Sequence, residues 1–515
     1  MGATTASKSL GSPSPRSGSE TTTPALGIAA VYRRREPTTT SLYPIVQHHL
    51  ESFLAVAADA DSPGQGVPAW AEDDFRAYLR CGILAHGFAR ARCGECGAER
   101  LIAFSCKGRG VCPSCNTRRM VEVAAHLNDE VLPPLPVRQW VLSLPERLRP
   151  FLPSDAALAG AVLRILLRAI RTLLLKRSPT APAAARLGAV SFLHRFGSAL
   201  NPHFHFHLVV LDGLFSEDPD GSIHFHEAGE PGTRDMQRLQ QTVRRRVLRL
   251  FRRRELLDEP TVANLLTWQA AGGFSVDASV RISGSDRAGR ERLLRYCARP
   301  PFAPERLRIE RVHSARSAGV GTAAAGDIRH VLYQPARPTF DGRTLLVLSP
   351  FDFLAALARL IPPPRVHRHR YHGVLAPNAG LRERVTALAT AAEPDTREQG
   401  GPVDDTLPTP AQSASRSRWA RLLARIYEAS PLSCPDCGAE MRILAFLTEP
   451  FTISGILRHL GLPHTAPPLT PARSPPRGGT ALDADPLLDL DQTPAFDPTE
   501  PDPIPDFDFD QTWGA

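Results

Sequence analysis

The pattern of polar and apolar positions predicts a β-hairpin near the middle of the chain. Segments 189–196 and 203–211 are rich in residues that favour strands, and Gly197 and Pro202 between them are turn residues. The second segment begins His-Phe-His-Phe-His, so polar and aromatic side chains alternate. Because residues two apart on a strand share a face, we expect the three histidines on one side and the phenylalanines in a core on the other.

The register of this hairpin decides which further side chain joins the histidines. If residues whose numbers sum to 399 pair, His194 lies opposite His205, and opposed Cβ atoms are then about 4.5–5.5 Å apart. His205, His207 and His194 could together hold a divalent cation. A slip of one residue would turn His194 to the other face, so Gln139 and Asp212 remain alternative third ligands.

Elsewhere the periodicity predicts a mixture of helices and strands, and therefore an α+β fold class. Apolar residues recur at helical spacing in segments 41–60, 69–85, 118–132, 148–176, 236–257, 287–298, 351–361 and 416–428. Further strands are predicted at 137–144, 307–312, 329–334 and 343–348. We identify no internal repeat.

Composition divides the 515 residues into six regions. Residues 1–40 are rich in Ser, Thr and Pro and are predicted to form a disordered basic tail. The regions that follow are a helical, cysteine-bearing domain (41–132), a larger domain (133–391), a polar linker (392–415), a C-terminal helix with a CxxC pair (416–463) and an acidic disordered tail (464–515).

Charge is divided unevenly between the body of the chain and its C-terminal tail. The formal net charge is +8, and ten acidic residues with two arginines give residues 464–515 a charge of −8, so residues 1–463 carry +16. A body this basic suits a polyanionic partner such as nucleic acid. The most apolar stretch, 156–175, contains three arginines and is not a membrane span. Since no secretory signal is present, we expect a cytoplasmic protein.

Cysteine spacing predicts a zinc-binding knuckle. Cys93 and Cys96 form one CxxC pair, and Cys112 and Cys115 form a second pair. Fifteen residues separate the two pairs. Two such turns complete a tetrahedral zinc shell, and clustered cysteines without an export signal favour zinc over disulfides. Cys81 and Cys106 are not needed for this shell. His86 or Cys106 could replace one ligand, or Cys106 is simply a small buried residue.

A third CxxC pair lies near the C-terminus. Cys434 and Cys437 supply half of a zinc site, and no further pair follows them. His459 or His464 could complete the site, or the pair binds no metal.

Clusters of basic residues predict contacts with DNA. Arg245, Arg249 and Arg252 lie on one cationic face of the predicted helix 236–257, which could follow a phosphate backbone. Lys107 and Arg109 lie beside the cysteine knuckle and could also contact phosphates. In each case the alternative is a face that is merely solvated.

Tyr296 lies on the predicted helix 287–298 between two arginines. Arg292 is four residues before it and Arg299 three after, so both share its face. Guanidinium groups bind phosphoryl oxygens, and a tyrosine that attacks a phosphodiester forms a covalent phosphotyrosine. The alternative is an amphipathic tyrosine that only covers the helix. A later basic cluster contains Tyr371, which could stack on an unpaired base.

Several motifs, in this order, resemble the rolling-circle transposases of the insertion sequence 91 family. They are the cysteine knuckle, the histidine strand ending in Leu-Asp-Gly, the segment RYCARPPFA at 295–303 and the segment PRVHRHRYHGVLAP at 364–377. The resemblance covers roughly residues 45–380, and the region of the C-terminal CxxC pair (about 416–462) also resembles the family. It implies a HUH-type catalytic domain at 133–391, with an antiparallel sheet flanked by helices, preceded by a small zinc-binding domain.

The resemblance also implies roles for particular residues. His205 and His207 would form the His-hydrophobe-His motif, Tyr296 would be the nucleophile, and Mg²⁺ or Mn²⁺ would be the catalytic cation beside a structural Zn²⁺. The implied reaction nicks and rejoins single-stranded transposon ends through a 5′-phosphotyrosine, at the nucleoid. Some members carry two tyrosines four residues apart. Arg292 occupies the earlier position here, which implies either that Tyr296 is reused or that a second protomer of a homo-oligomer acts.

Two other functions fit the same features. A relaxase or replication initiator would use the same chemistry at a replication origin instead of transposon ends. A zinc-dependent DNA-binding regulator would bind DNA without cutting it.

Overall fold

The computed structural model describes residues 35–59, 66–153, 155–267, 273–311, 328–339, 341–390, 432 and 434–473. The predicted linker at 392–415, the predicted helix at 416–428 and most of both predicted tails lie outside the described residues. In the described part of the chain, no helix combines the length and apolar character that crossing a membrane requires.

Helices and strands are mixed along the chain, which confirms the predicted α+β class. The helices are α1 (Leu42–Asp59), α2 (Ala69–Arg80), α3 (Pro113–His126), α4 (Ala156–Arg177), α5 (Thr233–Arg253), α6 (Glu259–Thr267), α7 (Arg287–Ala298), α8 (Pro350–Leu360), α9 (Arg382–Thr390) and α10 (Pro450–His459). The strands are β1 (Phe88–Cys93), β2 (Glu99–Ala103), β3 (Val137–Ser143), β4 (Gly188–Phe196), β5 (Pro202–Leu211), β6 (Gly213–Glu217), β7 (Ile223–Glu227), β8 (Ser275–Asp277), β9 (Arg281–Ile282), β10 (Leu307–Arg311), β11 (Ile328–Tyr333), β12 (Leu346–Leu348), β13 (His369–Gly373) and β14 (Met441–Leu447).

A six-stranded antiparallel sheet forms the centre of the fold. Its order is β13-β4-β5-β3-β8, and the short strand β9 also pairs with β3. β4 and β5 are the predicted hairpin, and β3 is the strand expected at 137–144. The edge strand β13 was not predicted, because its residues read in the sequence as a basic cluster and not as an alternating strand.

The two faces of this sheet pack against different helices. Leu142, Phe204 and Phe206 belong to a core with residues of α4 and α5. Phe192 and Val209 belong to a second core with residues of α3 and α7. Since side chains alternate along β5, its histidines lie on the face that α7 covers.

Two smaller sheets flank the central one. β10, β11 and β12 form an antiparallel sheet that shares a core with α1 and α8. β14, β1 and β2 form a three-stranded antiparallel ribbon. The predicted regions 41–132 and 416–463 therefore meet in one sheet, although they were expected to be separate.

The beginning of the predicted acidic tail lies along α1. The side-chain amide of Gln47 donates to the carbonyl of Pro468 at 2.8 Å, and the backbone N–H of Thr470 donates to the carbonyl of Gln47 at 3.2 Å. The backbone N–H of Arg473 donates to the hydroxyl of Ser52 at 2.9 Å. These residues were assigned to a disordered tail from composition, but their backbone polar groups are paired with α1.

The observed ends of the helices differ most from the predicted ones where a cysteine or a proline interrupts the periodic pattern. α3 begins at Pro113, directly after Cys112 and not at residue 118, because proline is favoured in the first turn of a helix. It continues into one π-helical turn, Leu127–Val131, before the chain reaches β3. α2 ends at Arg80, five residues before the predicted limit.

A buried ion pair joins the end of β5 to β3. Asp212 accepts hydrogen bonds from Nε and Nη2 of Arg138, each at 3.0 Å, and from Nε of Arg281 at 2.8 Å. The side chains of Arg138 and Asp212 are each only 2% exposed. Removal of one partner from a pair this deeply buried leaves the other charge uncompensated, which destabilises the fold.

We expect Asp212→Asn to lower the free energy of unfolding by about 3–5 kcal/mol, because it leaves the charge of Arg138 buried without compensation. Glu259→Gln is the matched control, since it removes the partner of the exposed Arg252 and should cost at most about 1 kcal/mol. Urea denaturation of both variants measures the difference, and equal losses would contradict the assignment.

Candidate active site

The hairpin pairs in the predicted register and brings three histidines together. His194 on β4 is the register partner of His205 on β5. The ring centroids of His194, His205 and His207 are 4.4–5.0 Å apart, and one ligand nitrogen of each lies within 4.8 Å of the other two. We call these three residues the histidine cluster. His203 lies next to it on β5, with its ring 4.9 Å from that of His205.

Backbone carbonyls determine which ring nitrogen carries the proton in two of these histidines. Nε2 of His194 donates to the carbonyl of Cys297 on α7 at 2.8 Å, and Nδ1 of His205 donates to the carbonyl of His203 at 3.1 Å. Because a carbonyl oxygen can only accept, the opposite nitrogen of each neutral ring keeps a lone pair. An imidazole oriented in this way by a second group is a typical metal ligand.

Gln139 on β3 orients the third histidine. The nitrogen Nε2 of its side-chain amide lies 2.9 Å from Nδ1 of His207. Because the nitrogen and oxygen of an amide exchange places when the group rotates by half a turn, the rotated amide would accept from Nδ1 and leave Nε2 of His207 as the ligand atom. Among the described residues, Nδ1 of His194 and Nε2 of His207 are buried polar atoms without a hydrogen-bond partner. Such atoms are costly to leave unsatisfied, and one bound cation would satisfy both.

Burial keeps the histidine cluster neutral. The three residues are only 2–3% exposed. Desolvation, with repulsion from Arg299, lowers the pKa of each histidine, and the pKa of His205 falls to about 3. Repulsion from neighbouring imidazoles lowers the pKa of His194 and His207 further. The rings therefore carry lone pairs at neutral pH, as metal ligands require.

The two alternative third ligands have other contacts. The carboxylate of Asp212 is held by Arg138 and Arg281. Gln139 contacts His207, so it would act as a positioning residue behind that ligand. This leaves His194 as the candidate for the third ligand.

Helix α7 places Tyr296 against the histidine cluster. The ring centroids of Tyr296 and His207 are 5.5 Å apart, with the rings nearly perpendicular at 82°. Arg299 follows the end of α7, and its guanidinium carbon is 4.1 Å from the centre of the Tyr296 ring. Arg292, which was predicted to share this face, is exposed at the surface.

The structure corrects the predicted grouping of the cysteines. Cys93, Cys96, Cys112 and Cys115 do not form one site, because the turn between β1 and β2 carries the first pair away from the start of α3. Eight cysteines form two groups of four, Cys81 with Cys106, Cys112 and Cys115, and Cys93 with Cys96, Cys434 and Cys437. We call them the first and the second cysteine cluster. The C-terminal pair thus has two cysteines beside it and needs neither of the proposed histidines.

The first cysteine cluster has the dimensions of a zinc site. Sγ of Cys81 lies 3.6 Å from that of Cys112 and 3.7 Å from that of Cys115, and Cys106 lies 3.5 Å from Cys115. Four sulfurs at the usual Zn–S distance of about 2.3 Å around a tetrahedral ion are about 3.8 Å apart. The cluster therefore fits a structural zinc ion.

Two residues that support this cluster were missed in the sequence. Nη1 of Arg35 lies 3.6 Å from Sγ of Cys81 and 3.7 Å from Sγ of Cys112, where its charge would offset that of thiolates. Asp74 accepts hydrogen bonds from three successive backbone amides, residues 109–111, at 2.7–3.1 Å. Arg35 had been assigned to the disordered tail. The residues around Asp74 in the sequence give no sign that its carboxylate binds backbone amides more than thirty residues away.

The predicted DNA-binding residues have different environments. The guanidinium group of Arg109 donates to the carbonyl of Val366, whereas Lys107 is exposed. Tyr371 is half-buried, with the guanidinium carbon of Arg382 5.0 Å from its ring centre. The exposed arginines of α5 include Arg245, Arg249 and Arg252. Because α5 shares its core with Phe204 and Phe206, this basic helix lies on the sheet face opposite the histidine cluster.

Comparison with known proteins supplies the family. Residues 188–382 match the family model described as "Putative transposase", and residues 45–144 match the model of the transposase zinc-binding domain. The chain is 25% identical over 398 residues to the transposase for insertion sequence element IS801 from Pseudomonas savastanoi pv. phaseolicola. The aligned residues make up 73% of this chain and 84% of that protein. No solved structure matches the chain.

This chain belongs to the insertion sequence 91 family of transposases. The transposase has the zinc-binding domain expected at its N-terminus. The matched regions contain the histidine cluster, Tyr296 and the whole first cysteine cluster. Cys434 and Cys437 lie outside both matched regions.

We expect the transposase to bind one Mn²⁺ ion at the histidine cluster. His194→Ala should abolish this binding because it removes one of three ligand nitrogens, and Gln139→Leu should weaken it about 10–100-fold because His207 loses its orienting partner. Titration calorimetry measures both. His203→Gln, on the same strand face, is the control and should bind Mn²⁺ as the wild type does. An equal loss in His203→Gln and His194→Ala would refute the assignment of ligands.

Proposed function

We propose that this transposase nicks and rejoins single-stranded DNA at the ends of its mobile element, through a covalent 5′-phosphotyrosine at Tyr296. The observation that supports this proposal is the 5.5 Å between the ring centres of Tyr296 and His207. It brings a candidate nucleophile and a candidate cation site to one place on the central sheet. A tyrosine can supply the nucleophile for phosphodiester cleavage, and a bound cation can stabilise the charge that develops on the phosphate.

His194, His205 and His207 would hold Mg²⁺ or Mn²⁺. When bound, the cation stabilises the negative charge that develops on the scissile phosphate. Mg²⁺ prefers oxygen ligands and binds imidazole weakly, so a set of three imidazoles favours Mn²⁺. The proposal therefore predicts higher activity with Mn²⁺ at low cation concentration.

Tyr296 performs the covalent step. Its phenolic oxygen attacks the phosphorus and loses its proton, while the bond from phosphorus to the 3′ oxygen breaks and that oxygen leaves as a 3′-hydroxyl. Arg299 lies against the Tyr296 ring, where its guanidinium group can bind a phosphoryl oxygen. Attack by a different 3′-hydroxyl on the phosphotyrosine reverses the step and joins two strands.

The remaining basic surface would bind DNA outside the cleavage site. The exposed arginines of α5 lie on the opposite face of the central sheet, so they would contact flanking DNA and not the scissile phosphate. With Arg292 where a second tyrosine could stand, two strand transfers require either repeated use of Tyr296 or a second protomer.

We expect Tyr296→Phe to abolish covalent protein–DNA adducts, because phenylalanine lacks the attacking oxygen. Binding of the same oligonucleotide should remain unchanged, since the basic surface is retained. Denaturing gels of a labelled single-stranded transposon end measure the adduct, and a mobility shift measures binding.

Tyr371→Phe is the matched control. Tyr371 is also half-buried beside an arginine, on the edge strand of the same sheet, and its variant should form adducts at the wild-type rate. Adducts that persist in Tyr296→Phe would exclude Tyr296 as the nucleophile. Metal-dependent nicking by the wild type would exclude a purely regulatory protein, and a preference for transposon ends over replication origins would exclude an initiator.

A further inference from the structure

The second cysteine cluster joins two segments that lie far apart along the described chain. Cys93 and Cys96 lie at the turn between β1 and β2, and Cys434 and Cys437 lie just before β14. β14 pairs antiparallel with β1, with Cys93 opposite Met441 and Phe88 opposite Leu447. The pairing brings together two CxxC turns that are more than 330 residues apart.

The two turns are copies of each other. Residues 93–99 and 434–440 both follow the pattern CxxCGAE, which corrects the expectation that the chain has no internal repeat. Gly97 and Gly438 have φ values of +78° and +75°, a conformation that glycine adopts readily. The backbone hydrogen bonds also match: residue 93 donates to 98 and residue 434 to 439, both at 2.8 Å. The pair at 112–115 lacks this pattern, because it leads directly into α3.

The sulfur positions fit one metal ion. Sγ of Cys93 is 3.5 Å from that of Cys437, and Sγ of Cys96 is 3.4 Å from that of Cys434 and 3.6 Å from that of Cys437. A disulfide would require about 2.05 Å, whereas a tetrahedral zinc shell requires about 3.8 Å. The first cysteine cluster has the same spacing.

The ribbon around this cluster has little other stabilisation. The buried hydrophobic cores on either side of it contain only a few residues each, one around Ala91 and Met441 and one around Phe88 and Leu457. Phe446 on β14 is 67% exposed. Small modules with cores of this size generally depend on a metal or a disulfide, and all of these cysteines are free.

We propose that Cys93, Cys96, Cys434 and Cys437 bind a second structural zinc ion, and that this ion fastens the C-terminal segment (434–473) to the N-terminal zinc-binding domain. The transposase then holds two zinc ions, and the N-terminal domain is incomplete without the C-terminal segment. This proposal does not depend on the nicking reaction, so either can fail without the other.

Zinc content tests the number of sites. The full-length wild type should contain two zinc ions per chain, and Cys434→Ser/Cys437→Ser should contain one. Cys297→Ala changes the remaining cysteine, which lies outside both clusters, and should retain two. One zinc ion in the wild type, or two in the double variant, would overturn the proposal.

Thiol alkylation mapped by mass spectrometry tests which cysteines share an ion. In Cys434→Ser/Cys437→Ser, Cys93 and Cys96 should become reactive while the first cluster stays protected. Cys106→Ser/Cys115→Ser should show the reverse. Protection of Cys93 and Cys96 in the first of these variants would overturn the proposal, because the N-terminal domain would then hold both of them unaided.

The conservative change Cys434→His covers the case in which a serine variant unfolds and all its thiols react. Histidine can ligate zinc, so Cys434→His should retain two zinc ions and the protection of Cys93 and Cys96. If this variant holds one ion with Cys93 and Cys96 still protected, their protection does not come from a shared zinc ion and the proposal fails. A wild type that holds only one zinc ion would contradict the proposal independently of every variant.

Discussion

The antiparallel pairing of β4 with β5 is the constraint on which the active site depends. Side chains alternate along both strands. His194 lies on the same face as His205 and His207 because the strands pair with His194 opposite His205, and a slip of one residue would place it on the other face. A slip of one residue in β5 would also move Phe204 and Phe206 out of the core beneath α4 and α5. The apolar packing that stabilises the sheet therefore holds the three imidazoles together as well.

Helix α7 connects this register to the candidate nucleophile. The carbonyl of Cys297 accepts the hydrogen bond that determines the tautomer of His194, and Leu293 and Leu294 pack on the same face of the sheet. Tyr296 lies between these contacts in sequence. The docking of one helix therefore determines both the orientation of a candidate ligand and the position of the phenol, so a shift of α7 would disturb the two together.

The ribbon that carries the second cysteine cluster is organised by a different principle. The central domain buries two large cores on the faces of its sheet, whereas the ribbon of β1, β2 and β14 buries few residues and concentrates its cysteines. The entropic cost of bringing two segments together rises only slowly with the length of the loop between them. A separation of several hundred residues therefore does not prevent such a ribbon from forming. Sulfur ligands with the right spacing then provide stability that the small cores do not.

The sequence by itself determined the features that depend on neighbouring residues. The β4–β5 hairpin, the helix that carries Tyr296, and the CxxC pairs all follow from local periodicity or spacing, whereas the register of the hairpin was only one of the alternatives that the sequence allowed. Only the tertiary structure decided which cysteines meet, that Asp212 pairs with Arg138, and that α5 lies opposite the histidine cluster. The physical reason is that a CxxC turn or a strand specifies only half of an interaction. The other half can come from any distance along the chain, and only the packing of the whole molecule selects it.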